Sequence, residues 1–331
     1  MKKICILACL LLGMILLAGC GPQKTETPAE GVIRVCSSMN RNLSEALIRD
    51  FANKTGILVE FDPLVATTLQ QRLELLGNSK IDVWIGGSVE EYYMAGERDM
   101  LVPYLSSGTA GIPPQYMDRD GRWSPLSVDY IALLSNQDNM RKLGIEAPVT
   151  WDELLQPVLH NEIVMADPGI GGASYGMITS LWQLRGEEPA LKFAGALRTQ
   201  KVQYLSTAAK AGYEVYVGRK AVAVTSLHHA KALEKEFHFL YAEPVRDGNK
   251  NMITAVAILK GGENRKAAQR FMDYLFSREA ALIMREYGMN PIVDGLTEKG
   301  RANEIQFIPN DDLRWTAGQK QELIQAWLNA K

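Results

Sequence analysis

The sequence predicts an α/β protein built as two lobes, and two observations carry that prediction. Short apolar stretches alternate with amphipathic ones along the chain, the order that produces a largely parallel sheet with helices on its faces. The chain also runs to 331 residues, more than one hydrophobic core usually holds. Composition removes other classes. With 47% hydrophobic and 22% charged residues the chain is neither disordered nor collagen-like, and a formal charge of −2 lacks the basic excess of a nucleic-acid binder. Beyond the first twenty residues no apolar run is long enough to span a bilayer.

The opening residues read as an export leader. Lys2 and Lys3 precede an apolar run from Ile4 to Ala18, which closes on Leu17-Ala18-Gly19-Cys20. A charged start, a short apolar centre and small residues at the end are a secretory signal over residues 1–19. The cysteine directly after Leu-Ala-Gly resembles the bacterial lipoprotein box, which implies cleavage before Cys20 and a diacylglycerol on its thiol. Residues 20–31 are polar, contain Pro and Gly and lack periodicity, as a flexible tether does. Cysteine usage agrees with export. Cys5 and Cys9 leave with the leader and Cys20 takes the lipid, so Cys36 is left without a partner for a disulfide or a cysteine zinc site and reads as a small buried hydrophobe.

From residue 32 the alternation begins. Strands are expected at 32–35, 57–61 and 81–85, with helices between and after them at 42–55, 68–76 and 89–96; the first helix has Leu43, Ala46, Leu47 and Phe51 on one face. A further strand is expected at 130–135. Thr150 with Glu153 three residues on reads as a capping box opening a helix. Strands follow at 162–166, 202–205, 220–224, 239–242 and 252–259, and helices at 174–185, 264–276, 280–287 and 319–329.

In sheets of this kind ligands bind beyond the carboxyl ends of the strands, so the loops there are the candidate site. Ser37, Ser38 and Met39 follow the first strand; Arg41 beside them could meet an anion or face water. Gly87 and Ser88 follow the third strand. Gly172, Ser174 and Tyr175 belong to the turn that starts at Asp167-Pro168-Gly169. Ser206 and Thr207 form another loop edge. His228 and His229 follow a further strand and are candidates for an oxyanion or a metal, although neighbouring imidazoles on a helix point apart. Each hydroxyl residue has a plainer reading as a helix cap, and free N–H groups at helix starts favour anions. No His-Glu-x-x-His and no phosphate-binding Walker loop is present. The pairs Glu90-Glu91 and Glu187-Glu188 read as solvated helix faces, and Tyr92-Tyr93 as packing.

The order of motifs resembles a family. After the lipobox come Val35-Cys36-Ser37-Ser38, Thr55-Gly56-Ile57-Leu58-Val59, Asp82-Val83-Trp84-Ile85-Gly86-Gly87-Ser88 and Leu101-Val102-Pro103-Tyr104. Thr150-Trp151-Asp152-Glu153-Leu154, Ala166-Asp167-Pro168 and Ser277-Arg278-Glu279-Ala280 follow. Together they resemble the family 1 extracellular solute-binding proteins of ABC importers, in the subgroup that holds ferric-iron, phosphonate and sugar-phosphate binders. Where iron-binding members carry adjacent tyrosines, this chain has Leu227-His228-His229. The resemblance implies a class II periplasmic-binding-protein fold with the ligand cleft between the lobes. It implies lobe 1 at 32–126 plus 254–331 and lobe 2 at 127–253.

By function, the resemblance implies a monomeric, lipid-anchored binder on the outer face of the bacterial cell membrane. It would capture a phosphonate, an organophosphate or ferric iron, and deliver it to permease and ATPase subunits without catalysis or a cofactor. A lipid-anchored hydrolase or transferase using His228 or His229 near Ser206, or a sensor ectodomain with the same cleft, are the alternatives.

Overall fold

The computed structural model describes residues 31–64, 69–170, 172–293, 306–307 and 313–330. The leader, Cys20 and the tether to residue 30 lie outside these residues. The strands are β1 (Val32–Ser37), β2 (Leu58–Pro63), β3 (Val83–Ser88), β4 (Leu101–Val102), β5 (Ser124–Asn136), β6 (Ile163–Ala166), β7 (Gln203–Leu205), β8 (Val222–Ser226), β9 (Leu240–Pro244), β10 (Asp247–Asn249), β11 (Asn251–Leu259) and β12 (Gln306–Phe307). The helices are α1 (Arg41–Thr55), α2 (Leu69–Gly77), α3 (Val89–Glu97), α4 (Gln137–Leu143), α5 (Gly172–Arg185), α6 (Glu187–Thr199), α7 (Ala208–Tyr216), α8 (Leu227–Glu236), α9 (Arg265–Leu275), α10 (Arg278–Glu286), α11 (Leu313–Gly318) and α12 (Lys320–Asn329).

Local chemistry explains the elements. Asn40 caps α1 by accepting the Leu43 N–H at 3.2 Å, and the helix ends where Gly56 turns left-handed. Leu43, Leu47 and Phe51 recur every fourth residue and are buried. Phe51 meets Phe271 of α9 edge to face at 4.8 Å. Ser277 caps α10 by accepting the Ala280 N–H at 3.2 Å. The expected helix after Thr150 is only a 3-10 turn at Asp152–Leu155. Half of the capping box forms, since Glu153 accepts the N–H groups of Val149 and Thr150 at 2.7 and 2.9 Å. Gln156 is already extended and Pro157 follows it, and a residue before proline is pushed out of the helical region.

The sheet runs β2-β1-β3-β11-β5-β8-β6-β7, with β4 on β11 and β9 on β5. β1, β2 and β3 are mutually parallel, as are β6, β7 and β8, while β5 and β11 run antiparallel to their neighbours. β5 is longer than the strand expected at 130–135, and it changes partners midway. Residues Ser124–Tyr130 pair with β11, and Ile131–Asn136 pair with β8 and β9.

Two main cores lie on either side of that switch. The first gathers Ile33, Val35, Phe51, Trp84, Tyr92 and Phe271. The second gathers Ile131, Leu133, Trp151, Ile163, Met165 and Leu181. Ala132, Leu134, Val164 and Ala223 point to the opposite face of the same strands and build a smaller third cluster, as the period of two requires. This is the two-lobed α/β architecture that the sequence predicts. One element departs from the expected division, which placed 254–331 with the first lobe. Leu323, Ile324 and Trp327 of α12 are buried in the second core, whereas α11 packs on α3.

The crossing is stitched by Asn249, which is fully buried. Its Oδ1 accepts the Ile131 N–H at 3.0 Å, and its Nδ2 donates to the carbonyls of Ile131 and Val245 at 2.7 and 2.9 Å. The side chain thereby stands in for a strand neighbour where the ladder changes hands. Among the described residues no helix is long and apolar enough to cross a membrane.

Candidate functional site

The carboxyl ends of β1, β3, β6, β7 and β8 open onto one cavity of about 370 Å³. Of the predicted residues, Ser38, Gly87, Ser88, Gly172, Ser174, Tyr175, Ser206, Thr207 and His228 line it; Ser37, Met39 and His229 do not. The first turns of α3, α5, α7 and α8 also line it, which brings the positive ends of four helices to one space.

Three hydroxyls distinguish the cavity from a set of capped helices. The oxygens of Ser38, Ser88 and Ser174 are buried and, among the described residues, have no hydrogen-bond partner. A buried hydroxyl without a partner costs about 1–3 kcal/mol, and all three come from separate segments of the chain. Ser88 stands at the N-cap position of α3 yet makes no side-chain cap bond. Thr207 does cap its helix, accepting the Lys210 N–H at 3.1 Å, and Ser206 Oγ accepts from Lys210 Nζ at 2.9 Å.

Ser37 and Met39 shape the first loop. Ser37 Oγ is 2.9 Å from Ser44 Oγ and accepts the Met39 N–H at 3.1 Å, while the Met39 side chain packs on the first core. Arg41 faces outward and pairs with Glu45 at 2.7 Å. Gly86 and Gly87 both have left-handed φ, 85° and 88°. A Cβ on Gly86 would stand 2.8 Å from Met39 Cγ and Ser38 Oγ, and one on Gly87 would stand 2.6 Å from Glu91 Oε2. Only glycine lets these segments approach so closely.

The two histidines diverge. His228 donates its backbone N–H to Asp129 Oδ1 at 3.1 Å, and its Nδ1 bonds Asp129 Oδ2. Burial opposes its charge, but the hydrogen bond and the negative charge of Asp129 outweigh burial and hold the imidazolium above the ordinary histidine range. His229 turns away toward Gly212 of α7 and is held below that range, chiefly by burial and then by the charge of His228. The two rings share no common site. Among the described residues, no three His, Cys, Asp or Glu side chains come together to hold a metal ion. Cys36 is buried, and burial pushes its thiol up to about 12. Tyr92 is packing, as read: it is buried, stacks on Trp84 at 3.9 Å, and its hydroxyl lies 2.8 Å from the carbonyls of Gly86 and Ala255.

The reading of Glu90-Glu91 as a solvated face is overturned. Both are buried and both line the cavity. Lys250 pairs with Glu90 at 3.0 Å, and Arg72 of α2 pairs with Glu91. Burial opposes the charge of Glu90, yet Lys250 and then Lys320 bring its carboxyl down to about 2. Arg72, Asp129, Lys250 and Lys320 are charged lining residues that sequence reasoning missed, and the partners of the first three lie too far along the chain for any local pattern to reveal them. Arg72, Lys250 and Lys320 balance Glu90, Glu91 and Asp129, and a protonated His228 tips the lining toward positive charge.

Comparison with known proteins fits this geometry. The family described as bacterial extracellular solute-binding protein matches residues 33–290. An uncharacterized protein of Haemophilus influenzae is 25% identical over 313 residues, covering 91% of this chain and 90% of that one. The fold is similar to that of the periplasmic binding protein AfuA of Actinobacillus pleuropneumoniae, solved with fructose 6-phosphate, at 23% identity and a TM-score of 0.81 over 91% of this chain and 98% of that one. It is also similar to iron-bound HitA of Pseudomonas aeruginosa, at 16% identity and a TM-score of 0.77 over 90% and 99% of the two chains.

Proposed function

The chain belongs to the bacterial extracellular solute-binding proteins, and from that premise we propose that it captures a small phosphorylated or phosphonate solute between its lobes and delivers it to an ABC permease. In this reading Cys20 carries the lipid that keeps the protein at the membrane, and no covalent chemistry is done on the solute. The lobes are 32–126 with 254–293, and 127–253 with the last helix; they close about the crossing at Tyr130-Ile131 and the segment around Asn249.

The observation that carries the ligand class is the set of unpartnered buried hydroxyls of Ser38, Ser88 and Ser174, three residues that line a cavity ringed by four helix starts. A phosphoryl group offers several strong acceptor oxygens and negative charge, which such donors satisfy at once. A cavity of about 370 Å³ lies at the small end of the range for small-molecule pockets. Bare ferric iron needs a cluster of anionic or imidazole ligands, and the carboxylates here are already paired with Arg72, Lys250 and His228.

Titration calorimetry of the purified chain against fructose 6-phosphate, glycerol 3-phosphate, an alkylphosphonate and ferric citrate tests the reading. One of the phosphorus compounds is expected to bind with a raised melting temperature. Binding of ferric citrate alone would overturn the ligand class, and silence across a wide solute panel would overturn the binding role.

A further inference from the structure

Lys320 is the first residue of α12 and lines the cavity that holds the three unpartnered hydroxyls. It also lines a second cavity of about 680 Å³ between α3, the turn at Asp167 and the C-terminal helices, so it stands at the boundary of the two. Its ammonium lies 4.8 Å from the centre of the Tyr175 ring. Among the described residues it makes no close ion pair, although its charge reaches Glu90, whereas Arg72 and Lys250 are each held by a carboxylate of α3. A cation in the first turn opposes the helix dipole, and such a break of a local rule is found most often at functional positions.

The surrounding segment is fixed to both halves of the molecule. α11 packs on α3, α12 packs on α5 and α6, and the Tyr175 hydroxyl donates to the Thr316 carbonyl. Lys320 follows directly after the turn between these two anchors.

We infer that Lys320 is a charge-selecting ligand contact, brought into the cleft by a C-terminal strap that joins the lobes and reserved for the phosphoryl group of the solute. The inference rests on the phosphorylated-solute reading above. The amide and hydroxyl donors recognise oxygen atoms in general; the ammonium, with no carboxylate bonded to it, adds preference for the more highly charged anion. Because the strap grips both halves, the ammonium keeps its place over Tyr175 as the lobes move.

The experiment compares the purified chain with its Lys320→Gln and Lys320→Arg variants by titration calorimetry, using fructose 6-phosphate and fructose as probes, with melting curves of the unliganded proteins alongside. Lys320→Gln is expected to lose about 10- to 100-fold in affinity for fructose 6-phosphate, the value of one charge-assisted contact, while its unliganded melting curve stays cooperative. Lys320→Arg is expected to keep affinity within about threefold, since the charge is retained. Equal affinity in Lys320→Gln and the parent overturns the inference and leaves the ligand reading standing. A loss in Lys320→Arg as deep as in Lys320→Gln also overturns it, because shape rather than charge would then decide. If the parent binds fructose as tightly as fructose 6-phosphate, the phosphoryl reading and the inference fall together.

Discussion

Replacing Asn249 by alanine removes three hydrogen bonds at the point where β5 changes partners, and the structure says which groups are left stranded. The Ile131 carbonyl keeps the Val245 N–H at 3.0 Å, so it retains a partner. The Ile131 N–H and the Val245 carbonyl lose the side-chain partners described above. Ile131 and Val245 are both fully buried, so water does not replace what is lost. Two stranded backbone groups at about 1–3 kcal/mol each give a loss of about 2–6 kcal/mol. That is a large part of the 5–15 kcal/mol or so that holds a typical protein folded. With a urea dependence of about 3 kcal/mol per molar, the unfolding midpoint moves down by about 0.7–2 M. Urea titration followed by circular dichroism measures it. Asn249→Asp keeps the acceptor for Ile131 but sets a carboxylate against two carbonyls, so it is expected to be at least as damaging. A midpoint shift below about 0.2 M in Asn249→Ala would refute the idea that this side chain completes the ladder.

The other predictions concern the cavity. Ser174→Ala is expected to weaken binding of the phosphorylated solute by about tenfold, while thermal stability holds or rises, because the hydroxyl has no protein partner to lose; calorimetry and melting curves read the two effects separately. Glu90→Gln removes the carboxylate paired with buried Lys250 and is expected to cost up to about 3 kcal/mol at neutral pH. Because the folded pKa of Glu90 is depressed, its contribution is fully present above the ordinary value of 4.5 and drains as pH falls toward about 2, so the gap between parent and variant narrows with acid in urea titrations. The raised pKa of His228 works the other way. Its imidazolium and the pairing with Asp129 are fully present below the ordinary 6.5 and are lost as pH rises through the raised value, so solute affinity is expected to decline above neutrality and His228→Gln to flatten that decline in a calorimetric pH series.

Much of the fold was legible because it is written locally. The Gly56 stop, the Asn40 cap and the apolar face of α1 are all set within a few residues of one another. The hydroxyl loops were found for the same reason: a strand that ends in Ser-Ser or Gly-Gly-Ser before a helix names its own donors. The alternation could not show that β5 feeds both cores, since the partner switch at Tyr130-Ile131 depends on β11, β8 and β9 arriving from distant sequence. The charged floor was hidden likewise. Glu90 and Glu91 look solvated in a polar helix start, and only the fold brings Lys250 and Arg72 against them. Met39 and His229 were placed in the cavity by neighbourhood, but a side chain one position on points elsewhere, into the first core and toward Gly212 respectively.

The shared strand also constrains how this molecule can evolve. Side chains on β5 alternate between faces, so inserting or deleting a single residue between Val128 and Ala132 would invert one lobe's inward-facing set relative to the other's. The rims can lengthen, shorten and change chemistry from one descendant to the next, but the count of residues across this span is fixed, and surviving indels belong almost anywhere else.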